Sequence, residues 1–133
     1  MRKIFPMVIV IFAFLLCACG SGSFLMNNRQ NLAKLNYGMT ETDVTTIMGT
    51  ETFKSRNNPY RTSMFRDNSG KQINVWYYWT DQRGYKDDEK LTPVVFSEGK
   101  VIGWGREFWS DFVTKYEIRV KTDKDSDRYK MPR

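Results

Sequence analysis

Few residues in this chain of 133 could carry chemistry: it has no histidine and only two cysteines, Cys17 and Cys19. Without imidazole there is no Ser–His–Asp or Cys–His nucleophile and no imidazole metal site. No glycine-rich segment has the spacing that cradles phosphate. The dense carboxylate group is Asp87-Asp88-Glu89. Carboxylates set at the right separation can hydrolyse glycosides or hold calcium, but these three are contiguous and flanked by Lys86 and Lys90, the pattern of a solvated loop. The sequence therefore reads as non-catalytic, with no catalytic residue, no cofactor and no metal site.

That leaves the thiols. Cys19 closes Leu16-Cys17-Ala18-Cys19, which follows a positive Met1-Arg2-Lys3 and an apolar run from Ile4 to Leu16. The run is shorter than the roughly 18 residues of a spanning helix, and charge, apolar run and small residues together have the layout of a secretory signal over residues 1–18. The alternative is an uncleaved membrane anchor. The last four residues resemble a lipobox. That resemblance implies cleavage between Ala18 and Cys19 and a diacylglycerol thioether on the Cys19 sulfur, the membrane attachment of the chain. Cys17 is disfavoured as the lipidated residue because the bulky Leu16 precedes it. Each buried methylene contributes about 0.8 kcal/mol, and two or more chains hold a protein durably. Gly20 rather than Asp follows Cys19, which by the same resemblance favours the outer membrane, with the domain facing the periplasm. Processing removes Cys17 and lipid consumes Cys19, so no disulfide is expected although the compartment would permit one.

The elements that follow must fold by packing alone. Residues 19–28, with Gly20-Ser21-Gly22-Ser23, read as a lipidated tether. A first helix is expected over 28–36, with Asn28 as N-cap and Leu32 and Leu35 on one side. Gly38-Met39 is a tight link. Thr40 is a good N-cap for a second helix, with Asp43 at its third position and Val44, Ile47 and Met48 on one face. Gly49 supplies the positive-φ stop. A weak strand at 51–56 and a turn at Asn57-Asn58-Pro59 come next. Strands are expected at 60–67 and 71–80 around Asn68-Ser69-Gly70, and at 92–97 and 100–104 around Glu98-Gly99. Phe108, Trp109, Phe112 and Val113 recur at helical spacing, and Tyr116, Ile118 and Val120 alternate as in a half-buried strand. The tail, 122–133, is polar and expected to be disordered. Helices followed by strands predict an α+β domain over 29–121, two short N-terminal helices packed on a three- or four-stranded antiparallel sheet in a two-layer sandwich.

The net charge is +6, with 21 basic against 15 acidic residues; loss of Arg2 and Lys3 leaves 19 against 15. This mild basic bias suits anionic lipid headgroups or an acidic partner, while no basic tract is dense enough for nucleic acid. The run Trp76-Tyr77-Tyr78-Trp79 is the most unusual internal feature. In a strand, Tyr77 and Trp79 join Ile73 and Val75, the more apolar set, expected to lie under the helices. Trp76 and Tyr78 then lie on the opposite face, either covered by a loop or by the Phe108–Phe112 segment, or forming a patch that binds a partner protein or lipid headgroups.

Tyr37-Gly38-Met39-Thr40, Val44 and Ile47-Met48-Gly49 resemble the helix signature of the BamE (SmpA/OmlA) outer-membrane lipoproteins, and Asn74-Val75-Trp76-Tyr77-Tyr78 resembles their aromatic strand. Thr92-Pro93-Val94-Val95-Phe96 with Gly99 to Gly105 is closer still to an uncharacterised lipoprotein group of the same layout. The family usually has Pro soon after the glycine that ends the second helix; here Thr50-Glu51-Thr52 follows. The resemblance implies that Gly38 and Gly49 are structural turns and that Met39, Val44 and Ile47 pack helices. It also implies an accessory binding module in outer-membrane assembly or maintenance, with another envelope protein as partner. The alternatives are a stand-alone inhibitor or ligand-binding module acting on a soluble periplasmic target, or a binder of lipid headgroups.

Overall fold

The computed structural model describes residues 21–50, 56–83 and 87–119. These residues hold three α-helices, α1 (Ser21–Leu32), α2 (Glu41–Met48) and α3 (Arg106–Lys115), and four strands, β1 (Arg61–Arg66), β2 (Gln72–Trp79), β3 (Leu91–Ser97) and β4 (Lys100–Trp104). The strands form an antiparallel meander in the order β1-β2-β3-β4. α1 and α2 pack against it, giving the expected α+β two-layer sandwich, and α3 lies on the other face of the sheet.

Local chemistry sets the turns. Thr40 and Asp43 close a capping box: the Asp43 amide donates to Thr40 Oγ1 (3.2 Å) and the Thr40 amide to Asp43 Oδ2 (2.9 Å). These hydrogen bonds hold the Asp43 carboxyl below its ordinary value. α2 turns Val44 and Met48 inward and stops at Gly49, whose φ of 71° and ψ of 177° only glycine adopts readily. Gly38, at φ 82°, lets the link run beside β4. There the Gly38 amide donates to the Val101 carbonyl and the Val101 amide to the Met39 carbonyl, both at 2.8 Å, so the link closes the β4 edge. In the β1–β2 turn the Asp67 carboxylate accepts from the amides of Ser69 (2.9 Å) and Lys71 (2.8 Å). Glu98 and Gly99, both at positive φ, make the β3–β4 turn.

The structure corrects four expectations. First, α1 begins at Ser21, not near 28, so residues 21–28 are folded chain and not tether. Phe24, Leu25, Asn28 and Leu32 form its buried stripe; a polar residue in mid-stripe disguises the periodicity. Asn28 is therefore a mid-helix residue and not an N-cap. Second, the faces of β2 are exchanged. Tyr78 is fully buried beneath the helix pair with Leu32, Leu35, Val44 and Met48, and Trp76 packs beside it. Third, Ile73, Val75, Tyr77 and Trp79 lie instead against α3 and the start of α1. Alternation assigns residues to two faces but does not say which layer covers each, and here both faces are apolar. Fourth, Tyr116 caps α3 and is not the start of a strand. Glu117 reverses the chain at φ 51°, and Ile118 is buried, its amide donating to the Val113 carbonyl at 3.1 Å. Residues 1–18 and Cys19, the weak strand at 51–55, Val120 and the 122–133 tail lie outside the described residues.

A buried polar node ties the layers at the end of the sheet where β2 leaves and β3 enters. The Asn28 and Asn58 amides bond reciprocally at 3.1 and 2.7 Å. Asn28 also donates to the Trp79 carbonyl (2.8 Å) and Asn58 to the Met48 carbonyl (3.0 Å). Arg29 Nε donates to the Thr80 carbonyl at 2.6 Å. α1, α2 and β2 are thus joined by groups that would each be costly to bury unpaired.

Candidate binding surface

The carboxylates singled out in the sequence fall in one short turn. Asp87–Lys90 forms a short 3-10 turn before β3. Asp88 Oδ1 accepts from Arg61 Nη2 at 2.8 Å in an exposed ion pair, and the Arg61 guanidinium lies 4.4 Å over the Tyr77 ring. The Asp67 and Asp81 carboxyls are held below their ordinary value, first by hydrogen bonds from the Ser69 side chain and from the Arg83 amide respectively. Among the described residues no group of three or more His, Cys, Asp and Glu could hold a metal ion.

Trp76 and Tyr78 do not form a binding patch: Tyr78 is inaccessible, and the Trp76 ring packs 4.8 Å from Phe96. Gly38 and Gly49 sit at the turns expected of them, with φ of 82° and 71°. Further half-buried aromatics lie on α3. α3 carries Phe108, Trp109 and Phe112, none of which is buried. Phe112 stacks near Phe108 (5.8 Å between centroids) and packs on Tyr116 (4.5 Å), while Trp109 meets Phe65 of β1 at 5.2 Å.

Gly103 decides where α3 sits. A Cβ there would collide with the Phe108 ring, so only glycine lets Phe108 settle on β4. The helix lies across the sheet without filling the space at its sides. On one flank is an open cleft of about 440 Å³ with Ile73, Ile102, Phe108 and Phe112 in its wall and Asp67, Lys71, Asp111 and Lys115 among its polar lining. On the other is a hollow of about 350 Å³ beside Tyr77, Trp109 and Val113. An apolar wall with charges of both signs at its rim suits an amphipathic protein segment or small amphiphile.

β1 adds an edge. Among the described residues no strand pairs with its outer side, and Met64 at its middle is 64% exposed. Sequence reasoning missed both features. The signals for the cleft were Gly103 and the Phe108, Phe112, Tyr116 spacing.

The fold and surface define a small α+β module with an open cleft and a β1 edge that no strand covers among the described residues. The chain belongs to the family described as "Protein of unknown function (DUF3192)", whose model matches residues 25–111. No curated protein and no solved structure matches it.

Proposed function

We infer that this is a non-catalytic lipoprotein of the bacterial envelope, attached through Cys19 to the outer membrane, whose domain binds another envelope protein in assembly or maintenance. The observation that carries the reading is Leu16-Cys17-Ala18-Cys19 directly after the charged and apolar N-terminal segments. The resemblance of residues 37–49 to the BamE lipoproteins supports the outer-membrane role. The cleft beside α3 and the β1 edge are the surfaces suited to a protein partner. The cleft also favours a second reading, a ligand-binding module for a soluble amphiphile.

Two measurements test this. Fatty-acid label should enter the wild-type chain and be absent from Cys19→Ala; equal label in both refutes the anchor. A photocrosslinker placed in vivo at Phe112 or Met64 should give a discrete envelope-protein adduct, and one at the exposed Lys34 should not. Adducts equal at all three positions refute a specific surface. Retained function in a secreted Cys19→Ala chain would favour the soluble-ligand reading.

A further inference from the structure

We propose that the domain rests directly on the bilayer, with the start of α1 and the β2–β3 end of the sheet as its lipid-facing surface; this rests on the lipidation of Cys19. The argument is one of reach. α1 begins at Ser21, so only Gly20 separates it from the anchored residue. Two residue steps span at most about 7 Å. A tether over 19–28 would have let the domain stand off the membrane, but that segment is helix from its third residue.

The helix start cannot swing away. Phe24 and Leu25 are each only 6% exposed within the core. One turn further on, Asn28 bonds Asn58 and the Trp79 carbonyl, and Arg29 bonds the Thr80 carbonyl. The anchor is therefore held at the end of the sheet where β2 finishes. Lipid chains in the hydrocarbon core draw that end to the headgroups.

The groups at that end suit an interface. Met26 is 50% exposed. With Leu25, Arg29, Asp81, Gln82 and Arg83 it borders a shallow hollow of about 390 Å³. Arg29 and Arg83 both approach Asp81, at 3.8 and 3.6 Å, and the Arg83 side chain is 90% exposed. A guanidinium can engage lipid phosphate while a thioether enters the upper acyl region. The opposite end, at the Asp67–Gly70 and Glu98–Gly99 turns, lies the length of β2 away, roughly 25 Å at about 3.3 Å per residue. Asp67, Lys71 and Ser97 of the 440 Å³ cleft are at that far end. This orientation turns the cleft away from lipid.

The test uses the full-length lipidated protein in vesicles of phosphatidylethanolamine and phosphatidylglycerol. Processing leaves no other free thiol, so Met26→Cys, Arg83→Cys and Ser69→Cys each carry one fluorophore. Headgroup-nitroxide lipid should quench positions 26 and 83 several-fold more than position 69. A ten-residue Gly/Ser insertion between Gly20 and Ser21, with an r.m.s. span of about 16–19 Å, should reduce that contrast. Equal quenching at all three positions overturns the orientation, as does a contrast the insertion leaves unchanged. Fatty-acid labelling of the same preparations separates the failures. Label with equal quenching refutes the orientation alone, and absence of label refutes the anchor reading with it.

Discussion

Trp79→Ala tests the packing on both sides of the sheet when paired with Trp76→Ala. Trp79 is 4% exposed, in the core cluster that also holds Phe24 and Leu25 of α1. Tyr60 meets its ring at 5.0 Å, and the Arg56 guanidinium lies 4.2 Å from its centroid. Removing roughly 200 Å² of buried aromatic surface at about 25 cal/mol per Å² gives about 5 kcal/mol. That is an upper figure, because the unfolded chain already buries part of it. The loss of the Arg56 contact adds about 0.5–1 kcal/mol. Among the described residues the indole Nε1 has no hydrogen-bond partner, so its removal returns part of the cost. The net expectation is about 3–5 kcal/mol, the range of large aromatic truncations. Against a total of about 5–15 kcal/mol and a urea slope of about 1–3 kcal/mol per M, the midpoint of residues 20–133 should fall by roughly 2 M. Trp76, half-buried against Phe96 and the helix pair, should lose about 1.5–3 kcal/mol on truncation. A Trp76→Ala melt matching wild type would refute the burial of that face, and a Trp79→Ala loss under about 1 kcal/mol would refute the burial of Trp79 on the opposite face.

Three further outcomes are expected. Gly49→Val should lower stability by about 1–3 kcal/mol through backbone strain, since among the described residues nothing lies within 4 Å of the added Cβ; an unchanged thermal midpoint counts against this cap. Gly103→Val should force Phe108 off β4, costing about 1–3 kcal/mol and raising hydrogen exchange in α3 before the rest of the domain; uniform protection would contradict that. Burial raises the Tyr77 and Tyr78 hydroxyls above the ordinary 10.0. The unfolded chain releases these protons first, so the stabilisation is complete below pH 10 and declines as pH rises beyond it; a urea midpoint constant from pH 9 to 11 would contradict it.

The sequence resolved the elements best where one local rule decided them. Thr40, Asp43 and Gly49 define α2 without help from the rest of the chain, and Glu98-Gly99 and Asn68-Ser69-Gly70 define the two hairpins. It failed where tertiary partners decided. Asn28 resembles an N-cap because short amides favour helix starts, yet its amide is satisfied 30 residues away by Asn58. The faces of β2 were separable by alternation, but their covering layers depend on which side α1 and α3 cross. The apolar rank of each face cannot report that when Tyr78 and Trp79 are both buried. The cleft was harder still, because it arises from an absent side chain at Gly103 acting on a ring five residues further along.

The polar node gives these parts a mechanical relation. α1 is joined to the sheet by Asn28 and Arg29 through carbonyls of Trp79 and Thr80, the last residues before the strand order turns back. A helix held only by Phe24, Leu25 and Leu32 could slide on its apolar stripe, whereas directional bonds fix one register. If Cys19 bears the anchor, any pull from the membrane enters the fold through this helix and passes to β2, one of the two central strands paired on both sides. Asn58→Ala would leave the buried Asn28 amide without its reciprocal partner at a cost of about 1–3 kcal/mol. It should loosen α1 more than α3, which hydrogen exchange would read as greater exposure of Asn28 and Arg29 amides than of those in α3. Equal loosening of both helices would mean that the node is ordinary packing and sets no register.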